Sequence, residues 1–401
     1  MNSEQRWKRI YQLMEDTPHA PPRRCSGAWF ALNPALALGQ QADCGVPATL
    51  EDGWTVAKPE EVGLDGPRLC AIAGRLRVTN ANVHGVVIVR GGKLVFEQYF
   101  AGYDEPWGGD AGRYEFRATT LHDMRSFTKS VVSLLLGIAL DRKLIANIDE
   151  PVTKFLPEYA DVTAAGWDGI TLRHLLTMSS GMQWDENLPW NDKNDEWHLV
   201  NDPDPLRYVV QKPIVFDPGT FFTYNGGGTG LLAKVIEKAS GQRIDVFADE
   251  ALFKPLGVHD WQLKDYRNGT PATASGLRLR PRDAAKIGQL VLDGGEWQGR
   301  RIVSAAWIAD SIKPRLQALG LFGGLFYYGY QWWIGRTLVD QREVKWVAGQ
   351  GLGGQRLIIV PEDQLVMMVT QGLYANGRQG QATLDLLANV VLPAVRAEDT
   401  R

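Results

Sequence analysis

The sequence predicts an α+β fold in which one antiparallel sheet is built from both ends of the chain, with a mostly helical lobe inserted between them. Two β-hairpin patterns, one near each end, indicate the sheet, and residues 121–312 between them read mostly as helices and loops. Strands and helices do not alternate at the spacing of βαβ units, which argues against a doubly wound parallel sheet. The sheet domain is therefore expected to comprise residues 55–120 and 313–401, with 121–312 as the helical lobe.

Residues 1–54 are predicted to be an N-terminal extension or an export segment. Within residues 23–40, two arginines precede an apolar stretch that ends in small residues, as in a signal peptide. Asn33 and Pro34 interrupt that stretch, and acidic residues lie upstream of it. Both alternatives stay open, with periplasmic export slightly favoured over a cytoplasmic location.

The N-terminal hairpin is predicted by two β-rich runs on either side of a glycine pair. The runs cover residues 85–90 and 93–99 and are rich in valine, isoleucine and aromatic residues. Gly91 and Gly92 between them can adopt the positive φ angles that a two-residue hairpin turn requires.

A second hairpin and a closing helix are predicted near the C-terminus. Residues 355–360 and 365–370 are β-rich, and Pro361 and Asp363 between them are turn residues. Residues 382–396 have the pattern of a helix. Within the inserted lobe, three further helices are predicted over residues 231–240, 282–292 and 304–312.

Composition and charge exclude several classes of function. The chain has 401 residues, of which 44% are hydrophobic and 22% charged, as in soluble globular proteins. A net charge of −3, without a Lys/Arg-rich run, argues against a nucleic-acid partner. The longest apolar run, 131–140, is too short to span a bilayer, so no stable membrane insertion is expected. The cysteines and histidines form no metal-binding or redox motif, and His122 is interpreted as structural.

Ser126 and Lys129 form the only Ser-x-x-Lys motif in the chain, directly before the apolar run 130–140. That run predicts a helix buried on all sides. Because positions i and i+3 share a helix face, the hydroxyl and the amine are expected to point into the same space. Burial that disfavours the charged lysine would make it a base for the serine, and the helix N-terminus would favour a developing oxyanion. The alternative is that both residues merely open a core helix.

Two glycine-rich segments are the other candidate motifs. One runs from Tyr224 to Gly230 before a predicted helix, and the other from Gly349 to Gly354 before a predicted strand. Parts of both fit the glycine pattern of dinucleotide-binding proteins. Neither lies between the strand and the helix of a βαβ unit, so a dinucleotide site is not predicted.

These three motifs, in this order, resemble those of the penicillin-recognising serine hydrolases, which include class C β-lactamases, D-alanyl-D-alanine peptidases and related esterases and amidases. That family carries Ser-x-x-Lys, then Tyr-x-Asn, then a Lys-Thr-Gly-like strand, matched here by 126–129, 224–226 and 349–351. The resemblance spans roughly residues 55–395. Trp184-Asp185-Glu186 makes it similar in wording to 6-aminohexanoate-dimer hydrolases and family VIII carboxylesterases. It implies a β-lactamase/transpeptidase-like fold.

The resemblance also implies roles for individual residues. Ser126 would be the nucleophile, Lys129 and Tyr224 the proton relay, and the backbone N–H groups of Ser126 and Leu352 the oxyanion hole. A polar, aromatic passage over 179–220 is either a functional lid or a solvated loop. No metal and no cofactor is implied. The expected substrate-binding residues are Trp184, Trp190, Asn225, Gly226, Gln350 and Gly351.

Two departures from the family pattern shape the expected substrate. Gly226 stands where the asparagine of Tyr-x-Asn belongs, and Gly349 and Gln350 replace the lysine and threonine of the third motif. Those groups hold a substrate carboxylate and amide, so their loss favours a small neutral ester or simple amide. The alternatives are a D-alanyl-D-alanine peptidase or β-lactamase, and a catalytically silent binding protein on the same fold.

Overall fold

The structure is a computed structural model that describes residues 44–107, 109–318, 326–374 and 377–396. The export segment predicted within residues 23–40 lies outside these ranges. In the described residues, the strands are β1 (Thr55–Val56), β2 (Val83–Arg90), β3 (Lys93–Tyr99), β4 (Gly102–Asp104), β5 (Gly112–Tyr114), β6 (His122–Asp123), β7 (Trp261–Leu263), β8 (Leu277–Leu279), β9 (Glu296–Trp297), β10 (Arg300–Arg301), β11 (Leu316–Gln317), β12 (Tyr327–Tyr328), β13 (Trp333–Val339), β14 (Arg342–Gly351), β15 (Gln355–Val360) and β16 (Leu365–Gln371).

The α-helices of the same ranges are α1 (Gly66–Cys70), α2 (Ile72–Thr79), α3 (Phe127–Asp141), α4 (Leu172–Leu176), α5 (Asp195–Asn201), α6 (Pro205–Val210), α7 (Gly226–Ser240), α8 (Ile244–Ala248), α9 (Pro281–Leu292), α10 (Ala305–Ser311) and α11 (Gln381–Leu386). None of the described helices is long and apolar enough to cross a membrane.

A nine-stranded sheet joins the two ends of the chain. Its strand order is β1-β3-β2-β16-β15-β14-β13-β12-β11. The junction lies between β2 and β16, which pair antiparallel with Val86 opposite Val369. This confirms the predicted α+β arrangement. One detail differs: β1 pairs with β3 in parallel, so the sheet is mixed and not purely antiparallel. A two-residue strand carries too little pattern for its direction to be predicted.

Both predicted hairpins are present. Gly91 and Gly92 connect β2 to β3 with φ angles of +55° and +74°, the left-handed conformation that a tight hairpin turn needs. Between β15 and β16 the chain makes a 3₁₀ turn over Pro361–Asp363 and passes through Gln364 at φ +50°. The sequence pattern therefore sets the register of the sheet at both ends.

The predicted helices are also present, with one corrected boundary. Helices α9 and α10 match the expected ranges to within about a residue, a typical margin for helix ends. Helix α7 begins at Gly226, not at Leu231, because the Asn225 side chain caps it by accepting a 2.8 Å hydrogen bond from the Gly228 N–H. The closing helix continues past α11 as a π turn over Leu387–Val391 and a 3₁₀ turn over Leu392–Ala394.

The main sheet separates two hydrophobic layers, because successive side chains of a strand point to opposite faces. On one face, Val87 and Val89 of β2 pack in the same cluster as α3, α7 and α9. On the other face, Val86 and Ile88 pack with the C-terminal helical segments. Helix α3 is buried from Phe127 to Ala139. Helix α3 is thus fixed on all sides, as its apolar sequence predicted.

The inserted lobe is less purely helical than its sequence suggested. It contributes short strands to a three-stranded sheet, β6-β8-β7, and a two-stranded sheet, β9-β10. The passage over 179–220 is not one continuous loop, since it contains α5 and α6. Asn194 caps α5 by accepting from the backbone N–H groups of Glu196 and Trp197, so local polar residues of this passage build structure.

Candidate active site

Ser126 and Lys129 meet at the N-terminus of α3. Ser126 is the N-cap residue and stays partly exposed, while Lys129 is buried with 1% of its surface accessible. The Lys129 Nζ atom donates to Ser126 Oγ at 2.9 Å and to the carbonyl oxygen of Ala274 at 3.0 Å. The i, i+3 spacing thus brings the two side chains together, as predicted from the sequence.

The residue before the serine holds an uncommon backbone conformation. Arg125 has a φ of +49°, which a residue other than glycine rarely adopts and which costs energy. Its side chain is fixed by an ion pair with Asp123 at 3.2 Å, a hydrogen bond to Glu105 O at 2.7 Å, and the ring of Tyr374 at 4.8 Å. These contacts hold the tight turn that presents Ser126 at the start of α3.

Tyr224 completes a cluster of three polar side chains. Its ring centroid lies 4.9 Å from Lys129 Nζ, and its hydroxyl is close enough to Ser126 and Lys129 for both to influence its pKa. The ring packs against Trp333 at 5.6 Å between centroids, and it directly precedes the cap of α7. The structure therefore assembles the three residues of the predicted nucleophile and relay.

The glycines of β14 allow this strand to lie close to the nucleophile turn. A Cβ atom on Gly351 would lie 2.1 Å from the carbonyl oxygen of Met124, so only glycine permits the approach. Gly349 lies against the ring of Phe127, and a Cβ there would be 2.2 Å from that ring. Because side chains alternate along a strand, Gln350 lies on the other face of β14, opposite Arg356 of the paired strand β15. Its predicted role in substrate binding stays a prediction.

Glu186 is a site residue that the sequence did not identify as such. Its Oε2 atom accepts from the Gly226 N–H and from Trp184 Nε1, both at 2.9 Å. A Cβ on Gly226 would lie 3.7 Å from the same oxygen. Gly226 stands at the asparagine position of Tyr-x-Asn, so the Glu186 carboxylate lies where that side chain would project. The one sequence signal that could have indicated Glu186 is its place in the Trp184-Asp185-Glu186 run, which resembles related hydrolases.

The charges at this site differ from the sequence expectation. Burial lowers the pKa of Lys129, but Tyr224 and Glu186 raise it by more, so the net pKa is raised. This direction favours the ammonium form of Lys129, whereas from the sequence burial was expected to favour the neutral amine.

The pKa values of Tyr224 and Glu186, the two acidic groups near Lys129, are also shifted. Burial raises the pKa of Tyr224, while the charge of Lys129 opposes that rise. Burial and neighbouring Glu196 raise the pKa of Glu186 to about 7, again opposed by Lys129. A cation held between a phenol and a carboxyl group lowers the cost of forming the phenolate.

Two of the predicted substrate-binding side chains have structural contacts, and a third is exposed. The Asn225 side chain is buried and caps α7, so it is not available to a ligand. Trp184 is 7% exposed and packs directly against Gly227, where an added Cβ would lie 2.9 Å from its ring. Trp184 is therefore part of the hydrophobic core. Trp190 is 59% exposed on the surface. The predicted substrate-binding roles of Trp184 and Trp190 stay predictions.

Comparisons with known proteins agree with this geometry. The Beta-lactamase family profile matches residues 72–390. The chain is 26% identical over 323 residues to the 6-aminohexanoate-dimer hydrolase of Paenarthrobacter ureafaciens, covering 75% of this chain and 76% of that protein. It is 29% identical over 184 residues to esterase EstB of Burkholderia gladioli, covering 43% of this chain and 45% of that protein.

A solved structure shows the same fold at lower identity. The octameric penicillin-binding protein homologue from Pyrococcus abyssi aligns with a TM-score of 0.60 and 20% identity, covering 80% of this chain and 76% of that one. This confirms the β-lactamase/transpeptidase-like fold that the motifs implied. Since the family profile covers most of the sequence, the chain belongs to the Beta-lactamase family of hydrolases.

Proposed function

We propose that this protein is a serine hydrolase that cleaves carboxylic esters or simple amides through an acyl-enzyme on Ser126. The observation that carries the proposal is the 2.9 Å contact between Ser126 Oγ and the buried Lys129 Nζ, with the Tyr224 ring centroid 4.9 Å from the same Nζ. A nucleophile hydrogen-bonded to a group that can take its proton is the arrangement that covalent catalysis needs.

In the proposed reaction, Tyr224 acts as the base in its phenolate form, which the Lys129 ammonium stabilises. The Ser126 proton passes to the Tyr224 oxygen while Oγ attacks the substrate carbonyl carbon. Backbone N–H groups of Ser126 and Leu352 hold the oxyanion, and Tyr224 returns the proton to the departing alcohol or amine. Water then attacks the ester, gives a proton to Tyr224, and releases the acid as Ser126 is reprotonated.

The packing around Gly349 supports a neutral substrate. In the family's third motif this position carries a lysine that holds a substrate carboxylate, but here the Phe127 ring fills the space next to it. Loss of a charged hydrogen-bond donor typically removes about 1.5–3 kcal/mol. A relative named as an esterase and one named as a 6-aminohexanoate-dimer hydrolase support the same substrate class.

A substrate panel tests this proposal. Purified protein is expected to hydrolyse short-chain p-nitrophenyl esters or linear amides, with kcat/KM for penicillins, cephalosporins and D-alanyl-D-alanine peptides lower by roughly 100-fold or more. Faster turnover of the β-lactams or peptides would instead support the peptidase or β-lactamase alternative. No turnover of any substrate, together with no labelling by a fluorophosphonate, would support a silent binding protein.

The pH dependence of kcat/KM should show the effect of the Glu186 charge on the catalytic residues. The Glu186 carboxylate raises the pKa of both Lys129 and Tyr224, so Glu186→Gln should lower both. Because the proposed base is the Tyr224 phenolate, the alkaline rise of kcat/KM should move to lower pH in the variant. The wild type should also show an inflection near the Glu186 pKa of about 7, which the variant lacks. Glu343→Gln, far along the sheet at β14, is the control, and identical profiles for Glu186→Gln and wild type would contradict this role.

We also propose that the protein works in an oxidising compartment such as the periplasm. A disulfide joins Cys44 to Cys70, and such bonds persist in oxidising surroundings. Mass spectrometry of alkylated, non-reduced protein from the native host should find both cysteines protected. Two free thiols in that sample would contradict the proposal.

A further inference from the structure

A buried cluster of two histidines and an aspartate lies just ahead of the nucleophile turn. His84, Asp104 and His122 are 0%, 3% and 1% exposed. They come from β2, β4 and β6, which belong to three different sheets. One possible ligand atom from each residue lies within 4.8 Å of the others. Side chains that are distant in sequence thus converge on one point in the interior.

The hydrogen bonds of the two imidazoles fix where their protons are. His84 Nε2 lies 2.9 Å from the carbonyl oxygen of Tyr103, and His122 Nδ1 lies 3.0 Å from that of Asp123. A carbonyl oxygen only accepts, so both of these nitrogens must carry the hydrogen. In the neutral rings the remaining nitrogens, His84 Nδ1 and His122 Nε2, then carry lone pairs.

Those two lone-pair nitrogens face each other at 2.8 Å. Two acceptors at this distance repel unless a cation lies between or beside them. An extra proton on one ring is one such cation, and a metal ion bound by both nitrogens is another.

Asp104 adds a buried negative charge at the same point. Its Oδ1 atom accepts a 2.7 Å hydrogen bond from the Tyr374 hydroxyl. Among the described residues, no lysine or arginine forms an ion pair with it. A buried carboxylate without a cationic partner is costly. A divalent cation would compensate for this charge and for the facing lone pairs together.

Neighbouring residues hold the His84 side chain in place, as the residues around metal ligands do. The ring of Phe116 stacks on His84 at 4.0 Å and an interplanar angle of 9°. On other sides of His84, a Cβ on Gly102 or on Gly372 would come within 2.6 Å of the ring. Asn82 donates to the Tyr103 carbonyl at 2.8 Å, which fixes the acceptor of His84.

We propose that His84 Nδ1, His122 Nε2 and a carboxylate oxygen of Asp104 bind a divalent transition-metal ion of the zinc type. Imidazole nitrogens with one carboxylate suit zinc, with a small molecule or water as a fourth ligand. Zinc–nitrogen bonds of about 2.0–2.1 Å place two ligand nitrogens about 3.3 Å apart in a tetrahedron. The histidines would need to separate by roughly 0.5 Å. No sequence motif indicates this site, and His122, which was interpreted as structural, is here proposed to be a metal ligand.

We expect the proposed ion to be structural, because its ligands connect to the nucleophile turn through the chain from His122 to Ser126 and through Tyr374, which lies against Arg125. It would join β2, β4 and β6, and so hold the segment that leads into Arg125 and the serine. Its binding should therefore be read out by metal content and thermal stability, independently of the proposed hydrolase activity.

The experiment uses the full chain without a polyhistidine tag, stripped with a chelator and reloaded with Zn²⁺ or Co²⁺. After desalting, we expect about one ion per chain by elemental analysis. At a free Zn²⁺ concentration about 100 times the Kd, the Tm should rise by roughly 3 °C. The Co²⁺ form should show the visible absorption of a four-coordinate ion.

Matched variants connect these signals to the cluster. Asp104→Asn keeps an acceptor for Tyr374 but removes the charge, and should reduce metal retention at least tenfold. His259→Gln changes an exposed histidine outside the cluster and should retain the ion. If Asp104→Asn does not fold, X-ray absorption on the wild-type Co²⁺ form decides, since it should report two imidazole nitrogens and an oxygen. Three results would overturn the proposal. They are a chain that retains no metal and whose Tm does not change with Zn²⁺, an Asp104→Asn variant that retains as much metal as the wild type, and a ligand set other than two imidazole nitrogens and an oxygen.

Discussion

Ser126→Ala is expected to lower kcat for a p-nitrophenyl ester by roughly 10⁴- to 10⁶-fold, the range seen when a nucleophile is removed from a catalytic unit. The substitution removes one hydroxyl from a partly exposed position at the start of α3 and leaves the apolar packing of that helix unchanged. The Tm should therefore stay within about 2 °C of the wild type. Steady-state kinetics and thermal unfolding by circular dichroism measure the two quantities.

A fluorophosphonate gives an independent readout of the same serine. It should label Ser126 in the wild type and leave the Ser126→Ala variant unlabelled. Ser240→Ala, at the last residue of α7 and away from the site, is the control and should keep full activity and labelling. Labelling of another serine, or full activity in Ser126→Ala, would show that the nucleophile has been misassigned.

Lys129→Ala and Tyr224→Phe are each expected to lower kcat/KM by roughly 10³-fold or more, and the double variant should be little worse than either single one. Residues that act as one proton relay are strongly non-additive, because losing either member disables both. Tyr224→Phe is the cleaner change, since the ring keeps its contacts with Tyr328 and Trp333.

The double-mutant cycle is measured with one neutral ester at a fixed pH. Lys129→Ala also leaves a cavity and an uncompensated Glu186, so its Tm must be recorded with its activity. If the two losses multiply in the double variant, Lys129 and Tyr224 act independently and the relay is incorrect.

The parts of the fold that could be predicted are those with a strong local pattern. Gly91 and Gly92 between two β-rich runs gave the first hairpin, and the run after Lys129 gave the buried helix α3. The meeting of Ser126 and Lys129 follows from helix geometry alone. The start of α7 was misplaced because glycines disfavour helix interiors, whereas the Asn225 cap stabilises them here in the first turn.

The rest of the site depends on contacts between distant segments. Glu186 reaches Gly226 across 40 positions of sequence, and nothing in its local pattern indicates that contact. The pKa of Lys129 depends on this carboxylate and on Tyr224 as well as on burial, so burial alone does not determine the direction of its shift. The cluster of His84, Asp104 and His122 has no spacing that resembles a metal motif, because its members lie on three separate sheets.

The contact between Gly349 and Phe127 constrains how this chain could acquire a new specificity. A lysine at position 349 would restore the third motif of the carboxylate-binding relatives, but its Cβ would collide with a fully buried aromatic ring. Directed evolution that varies position 349 alone should therefore select destabilised proteins. A smaller residue at 127 has to appear first or at the same time, which makes the route between the two substrate classes at least two substitutions long.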